Sequence, residues 1–243
     1  MNPNEAPRTR VRLRYGKNGR IRFTSHRDMA RIWERSLRRT GLPVAQTEGF
    51  SPRAKLHFGL ALATGYESDA EYLDIDFKCA EVAVGDVLDA LVSVLPDGIA
   101  ATGGSVLAPG TMSLQQAVTS CDWDIELLGA SADDLARWVD QVRGATTLMI
   151  TRERKGKQIT DDLAPQVHVL EVGEPTSRGV RLLATLGTQP RSARPSDLFA
   201  ASELPYRPVL VRRTRQWIEQ DGARLEPLEV GAAPAQRTLV GVQ

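Results

Sequence analysis

The sequence contains few of the residues that build metal and covalent chemistry. It has two cysteines, Cys79 and Cys121, and three histidines among 243 residues. No CxxC, CxxxCxxC or HExxH spacing occurs, and no two histidines lie closer than 31 residues. A structural metal site needs about four ligands, usually with some closely spaced. We therefore predict no metal site, no iron–sulfur cluster and no cofactor, and we expect both cysteines to pack as small core residues.

Long apolar runs and nucleotide-binding motifs are absent as well. No run approaches the ~20 apolar residues of a membrane helix, and the polar start of the chain has no apolar segment behind it. The GxGxxG, GxxxxGKS/T and GxSxG patterns do not occur, which argues against dinucleotide binding, a P-loop and a serine hydrolase. We expect a cytoplasmic protein that makes no membrane contact.

The charge distribution is uneven, although the composition is that of a globular protein. Hydrophobic residues make up 42% and charged residues 25%, and the net charge is +1. Residues 8–55 hold 14 Lys or Arg against three acids, whereas the remainder holds 17 bases against 27 acids. Such segregation lets one end of a protein attract a polyanion even when the net charge is close to zero.

Arginine occupies every second position from residue 8 to residue 14. The residues that follow these arginines are Thr9, Val11, Leu13 and Tyr15. Side chains alternate between the two faces of a strand, so the arginines are predicted to share one face. Asn18-Gly19 is typical of a tight turn, and the alternation continues through Arg20 and Arg22. We predict an N-terminal β-hairpin with a basic outer face.

A basic amphipathic helix is predicted next. Ser25 and Asp28 form a capping-box pattern, and Gly41 supplies the stop. Arginines recur every four residues, which keeps them on one helix face: Arg27, Arg31, Arg35 and Arg39, with Arg38 beside them. Like charges at this spacing repel by about 0.2–0.5 kcal/mol per pair. The uncompensated row favours an anionic partner, and a merely solvated face or an acidic protein partner is the alternative.

The loop after this helix and one histidine complete the candidate site. Phe50, close to Arg53 and Lys55, suits base stacking beside phosphate contacts, or else forms a local plug under its loop. His26 lies in the first turn of the basic helix. It is a candidate general base for RNA cleavage, or a helix-start residue that hydrogen-bonds locally or touches phosphate.

The order of predicted elements indicates an α+β protein. Helices alternate with strand pairs in a β-α-β-β-α-β pattern that partly restarts near residue 119, although no clear sequence repeat is visible. We predict two ferredoxin-like sandwiches in tandem, the first with the added N-terminal hairpin. The expected domains are residues 1–110 and 119–230, followed by a flexible tail at 231–243.

Residues 10–80 resemble a bacterial radical-SAM-associated (radical-SAM-linked) family, also described as a domain of unknown function. The motifs that carry the resemblance are RFTSHRD at 22–28, RRTGLP at 38–43, EGFSPR at 48–53 and GYESDAEY at 65–72. The likeness continues more loosely to about residue 220. It implies a protein that works beside a radical SAM enzyme, and the family has no assigned activity.

Three hypotheses follow. The first is a non-catalytic RNA-binding accessory of a radical SAM enzyme. The second is a metal-independent RNA-processing or RNA-modifying enzyme that uses His26, and the third is a protein-interaction module that docks an acidic partner. The predicted RNA-binding residues are Arg10, Arg12, Arg14, Arg27, Arg31, Arg35, Arg39, Phe50, Arg53 and Lys55.

Overall fold

A computed structural model describes residues 8–154 and 156–239, and the fold is mixed α+β. The chain divides into two compact units. The first comprises Met1–Ala117 together with Ile218–Gln243, and the second is Val118–Trp217. Every strand pair with an assigned register is antiparallel. Among the described residues, no helix combines the length and the apolar character needed to cross a membrane.

The first unit is built on an antiparallel sheet with strand order β12-β4-β1-β3-β2. A 3₁₀ helix, Gly19–Phe23, follows β1, and β11 pairs with residues 218–220. The elements are β1 Thr9–Lys17, α1 His26–Thr40, β2 Leu56–Phe58, β3 Glu67–Phe77, α2 Val84–Val92, β4 Ile99–Leu107, α3 Leu114–Ala117, β11 Ala223–Leu225 and β12 Ala232–Leu239.

The core of the first unit follows from the two periodicities in the sequence. Val11, Leu13 and Tyr15 leave β1 on one face and are buried. They meet the apolar stripe of α1, where the Tyr15 and Trp33 rings pack edge to face at 5.0 Å. The Ser25 side chain accepts a hydrogen bond from the Asp28 backbone N–H, as the capping pattern predicts. The predicted helix and its buried stripe are confirmed.

The predicted N-terminal hairpin is wrong. Residues Gly19–Phe23 form a 3₁₀ helix, and Arg22 pairs with Glu67. Strand β1 already has β3 on one edge and β4 on the other, so no edge remains for a hairpin partner. The Asn18 N–H donates to the Gly98 carbonyl at 2.8 Å, and not across a hairpin. Asn-Gly therefore ends the strand without returning the chain beside it.

The second unit has a four-stranded antiparallel sheet with order β10-β5-β9-β8 and a separate β6-β7 hairpin. A 3₁₀ helix, Ala164–Gln166, precedes β8. The elements are β5 Ser120–Leu128, α4 Ala132–Gly144, β6 Met149–Arg154, β7 Lys157–Asp162, β8 Val167–Pro175, β9 Gly179–Gly187, α5 Pro195–Ala201 and β10 Arg207–Gln220.

The two units share a local motif at their first helix. Residues 25–31 (SHRDMAR) begin α1, and residues 131–137 (SADDLAR) begin α4. In both, a serine caps the helix and an arginine pairs with the aspartate three residues before it. The two helices therefore begin with the same local capping arrangement.

The C-terminal segment also departs from expectation. A flexible tail is predicted at 231–243, but Ala232–Leu239 forms a strand paired with β4. The segment lacks an alternating apolar pattern, but Ala233 packs against the core and the edge of β4 offers unpaired backbone groups to a further strand. Residues 240–243 lie outside the described residues. The sequence predicts that residues 1–110 and 119–230 each fold independently, and these two domain limits stay a prediction.

Candidate nucleic-acid interface

The arginines of β1 share one strand face, as predicted, but carboxylates of the neighbouring strand lie opposite them. Arg12 pairs in register with Asp74, and Arg10 with Asp76. Arg12 donates two hydrogen bonds to the Asp74 carboxylate, at 2.7 and 2.9 Å. Arg10 donates two to Asp76, at 2.6 and 3.1 Å. This half of the predicted basic surface is therefore neutralised within the fold.

Arg12 does not belong to an RNA-binding surface, which corrects the prediction. Its side chain is completely buried, and its guanidinium also donates to the carbonyl oxygens of Pro227 and Met112. Arg14 pairs with Glu226 at 3.2 Å and is largely covered. The sequence could not reveal these partners, because they lie 62 and 212 residues away in the chain.

The Arg10–Asp76 pair shifts both titrations. A hydrogen bond to Asp76 raises the pKa of Arg10 by more than burial lowers it. Burial raises the pKa of Asp76, but hydrogen bonds from Arg10 and His57 outweigh it, so the net pKa is lowered. Arg10 remains partly exposed, with 40% of its side chain accessible, although its charge is largely compensated.

The arginines of α1 are in a different state. All five on its outer face are exposed: Arg27, Arg31, Arg35, Arg38 and Arg39. Only Arg31 has an ion pair among the described residues, at 2.9 Å to the exposed Asp28. Exposed pairs of this kind stabilise a protein by about 0–1 kcal/mol. The helix therefore presents a surface of mostly uncompensated positive charge.

The loop that follows α1 closes on itself and exposes an aromatic ring. The Thr47 N–H donates to the Arg53 carbonyl at 2.8 Å, and the Arg53 N–H donates to the Thr47 hydroxyl at 3.1 Å. Gly49 adopts φ = 121°, which a side chain would strain. Phe50 at the tip is completely exposed. It is not a plug under the loop, so the stacking alternative remains.

Helix α1 and this loop enclose a groove of about 300 Å³. We call it the arginine groove. It is lined by Arg27, Ala30, Arg31, Glu34, Arg38, Ser51, Pro52 and Arg53. Four arginines and one acidic residue, Glu34, thus line the same cavity. The structure brings three predicted residues together here and adds Arg38, which the spacing i, i+4, i+7, i+11 from Arg27 could have indicated.

The remaining predicted residues lie outside the arginine groove. Arg35 and Arg39 are exposed further around α1, and Phe50 lies at the loop tip. Lys55 is half-buried beyond the loop, and its backbone N–H donates to the Ala45 carbonyl at 2.8 Å.

His26 has an unexpected companion. It lines a second cavity of about 330 Å³ together with His57, Phe58 and Arg10. The His26 ring packs edge-on against Phe58 at 5.1 Å between centroids. The His57 Nε2 atom lies 3.3 Å from an Asp76 carboxylate oxygen. We call this the histidine cavity. In the described part of the chain, no three His, Cys, Asp or Glu side chains are grouped so as to hold a metal ion.

Comparison with known proteins gives a family and no function. A search of curated proteins finds no match. A family profile matches residues 10–195, which include β1, α1, the loop with Phe50 and most of the second unit. The description of that family states no activity, substrate or partner. The chain belongs to this bacterial family, described as "uncharacterized protein conserved in bacteria" (DUF2344).

Proposed function

We propose that the protein is a non-catalytic RNA-binding accessory that holds RNA phosphates in the arginine groove. The observation that carries the proposal is that four arginines line one cavity together with a single acidic residue. Arg27, Arg38 and Arg53 have no ion-pair partner in the described part of the chain, so a polyanion would not have to displace one. Guanidinium groups bind phosphate oxygens in a planar, two-pronged geometry.

A comparison with α4 argues that the basic outer face of α1 is not simply the ordinary charged face of a surface helix. The two helices share the serine cap and the Asp–Arg pair, yet their outer charges differ. Helix α1 carries five arginines against Asp28 and Glu34, whereas α4 carries two arginines against Asp133, Asp134 and Asp140. A helix with this serine cap and this Asp–Arg pair therefore forms without a row of like charges. The repulsion within α1 favours a role in binding.

The exposed Phe50 gives this surface a second means of contact. An aromatic ring at a loop tip offers a stacking platform for a base of any identity. The same loop contributes Arg53 to the groove. A single-stranded RNA could thus place a phosphate in the groove and stack a neighbouring base on Phe50. Such binding depends on salt and shows little sequence preference.

The partner, location and detailed fold are part of the proposal. The motif resemblance supports a companion role beside a radical SAM enzyme. This companion role and RNA binding both favour a cytoplasmic location. The β4-β1-β3-β2 and β10-β5-β9-β8 strand orders support two ferredoxin-like units, since each places the first strand between the third and the fourth. Co-purification of a radical SAM enzyme that resists nuclease would support direct contact. Co-purification lost on nuclease treatment would favour contact through RNA.

The test is a binding titration of single-stranded RNA at low salt by fluorescence anisotropy. Reversing Arg27→Glu and Arg38→Glu should weaken binding about 100-fold, roughly 1.4 kcal/mol for each lost phosphate contact. The matched control is Arg35→Glu with Arg39→Glu, which changes the charge of the same helix equally but outside the groove. We expect a much smaller loss there. Equal losses would reduce the effect to net charge, and unchanged affinity in the groove variant would refute the proposal.

A further inference from the structure

The histidine cavity lies in the first unit, apart from the arginine groove. His26 and His57 both line it, together with Arg10 and the half-buried Phe58. Its volume of about 330 Å³ is in the lower range of sites for small ligands. His26 lines this cavity, and the adjacent Arg27 lines the groove. The first turn of α1 therefore contributes to both.

The net charge of this cavity depends on the two imidazoles, because the other charged groups that face it are paired. Asp76 is paired with Arg10, and Asp74 is paired with the buried Arg12 behind it. These two ion pairs cancel, so the cavity is close to neutral while both histidines are neutral. Protonation of both His26 and His57 would add two positive charges, since the Arg10 charge is already balanced by Asp76. Histidine is the side chain that changes charge near neutral pH.

His57 is held so that one ring nitrogen remains for a ligand. Its Nε2 atom lies 3.3 Å from an Asp76 carboxylate oxygen and 3.3 Å from an Arg10 nitrogen. In the charged imidazole, Nε2–H donates to Asp76. The other nitrogen, Nδ1, has no hydrogen-bond partner among the described residues, and about half of the side chain is accessible.

We propose that the histidine cavity binds a phosphate monoester group through ring N–H groups of His26 and His57, with Arg10 at its edge held by Asp76. A phosphate has the three acceptor oxygens that such a set of donors fits. The ligand is a terminal phosphate of RNA or a free nucleotide. The RNA source rests on the proposed function of the arginine groove, and the free nucleotide does not.

The first experiment titrates the full chain with inorganic phosphate and follows the imidazole resonances by NMR. The signals of His26 and His57 should shift together, and that of His168, which lines a cavity of the second unit, should not. His26→Ala and His57→Ala should each weaken phosphate at least about tenfold, with His168→Ala as the control without effect. Unchanged affinity in the double His26→Ala, His57→Ala variant would overturn the proposal.

Sulfate separates the site from the protonation of the ligand. Phosphate itself titrates near pH 6, but sulfate keeps its charge throughout. Sulfate should compete with inorganic phosphate for the wild type, and the double His26→Ala, His57→Ala variant should bind sulfate at least about tenfold more weakly. Equal sulfate affinity in the wild type and the double variant would contradict the assignment of the site to the two histidines.

The second experiment uses one RNA sequence with a 5′-phosphate, with a 3′-phosphate or with neither. A preference for a phosphorylated end that disappears in the double histidine variant would identify RNA as the source. Equal binding of all three RNAs, with nucleoside monophosphate bound in the cavity, would identify a free nucleotide. The groove variant Arg27→Glu, Arg38→Glu should weaken every RNA but still bind inorganic phosphate. A wild-type protein that binds inorganic phosphate but no RNA would sink the groove proposal alone, and one that binds RNA but no inorganic phosphate would sink this proposal alone.

Discussion

The arginines of β1 and those of α1 look alike in the sequence but have opposite roles in the structure. On β1, each of Arg10, Arg12 and Arg14 meets a carboxylate. On α1, four of the five exposed arginines have no ion pair among the described residues. Two of these carboxylates lie opposite on the adjacent strand β3, and the third, Glu226, directly follows β11, whereas the outer surface of α1 faces solvent. Arginine is therefore structural on the strand and available on the helix.

The largest expected effect comes from breaking the buried strand pair. Asp74→Ala leaves the Arg12 guanidinium buried without its carboxylate, which should lower the free energy of unfolding by about 3–5 kcal/mol. Urea denaturation measures this loss. Arg12→Leu with Asp74→Leu should restore much of the stability, since an apolar pair of similar volume is often neutral. A loss below about 1 kcal/mol for Asp74→Ala would show that the strand arginines are less structural than the comparison holds.

Phe50 lies at the exposed tip of the loop that follows α1, and its removal should affect RNA binding and not stability. Phe50→Ala should weaken RNA by about 1–3 kcal/mol if one base stacks on the ring. Phe23→Ala is the control, because that ring is also exposed but lies outside the loop. Anisotropy titrations with both variants give the answer. Equal weakening by both variants would remove the special role of the loop tip.

The contribution of the Arg10–Asp76 pair to the stability of the fold should depend on pH. The folded pKa of Asp76 is lowered, so its contribution to stability is complete above the unfolded pKa of about 3.9 and is lost as pH falls through the folded value. Asp76→Asn should be less stable than the wild type at neutral pH, and the gap should narrow below about pH 4.

Urea midpoints across this range measure the gap. Asp89→Asn, an exposed carboxylate on α2 without an ion pair in the described part of the chain, is the control that should show little difference at any pH. A gap for Asp76→Asn that is constant or grows with acid would mean that Asp76 does not stabilise the fold through its charge.

The smallest effect has the opposite sign. Arg35→Ala removes the repulsion between Arg35 and its like-charged neighbours Arg31 and Arg39. The free energy of unfolding should therefore rise by about 0.2–0.5 kcal/mol per pair at low salt. Removal of a strand arginine destabilises, and removal of a helix arginine stabilises. Thermal unfolding at low and high salt tests this difference, because salt should abolish the gain. A clear loss of stability would mean that Arg35 has a structural partner.

The sequence predicted what depends on local periodicity. The cap at Ser25, the stop at Gly41 and the buried faces of β1 and α1 all follow from spacing along one element. The common face of the strand arginines was also correct. What it could not supply was the register, because the pairing of Arg12 with Asp74 joins residues 62 positions apart.

The candidate site was predictable to a similar extent. Arg27, Arg31 and Arg53 come together; Arg38 was placed beside the helix row but left out of the predicted RNA-binding residues, and Arg12 was included although it is buried. The hairpin failed because a turn signal shows that the chain bends and does not show which strand takes the free edge. His57 gave no local signal, since its role depends on Asp76 in the neighbouring strand.

The salt dependence of RNA affinity tests the groove most directly. For single strands, each phosphate contact adds about 0.7 to the slope of log affinity against log salt. Replacing Arg27 and Arg38 by Gln should lower the slope by about 1.4, whereas Arg137→Gln with Arg143→Gln on α4, which removes the same charge, should leave it nearly unchanged. Equal slopes in the wild type and the groove variant would contradict a phosphate-binding groove.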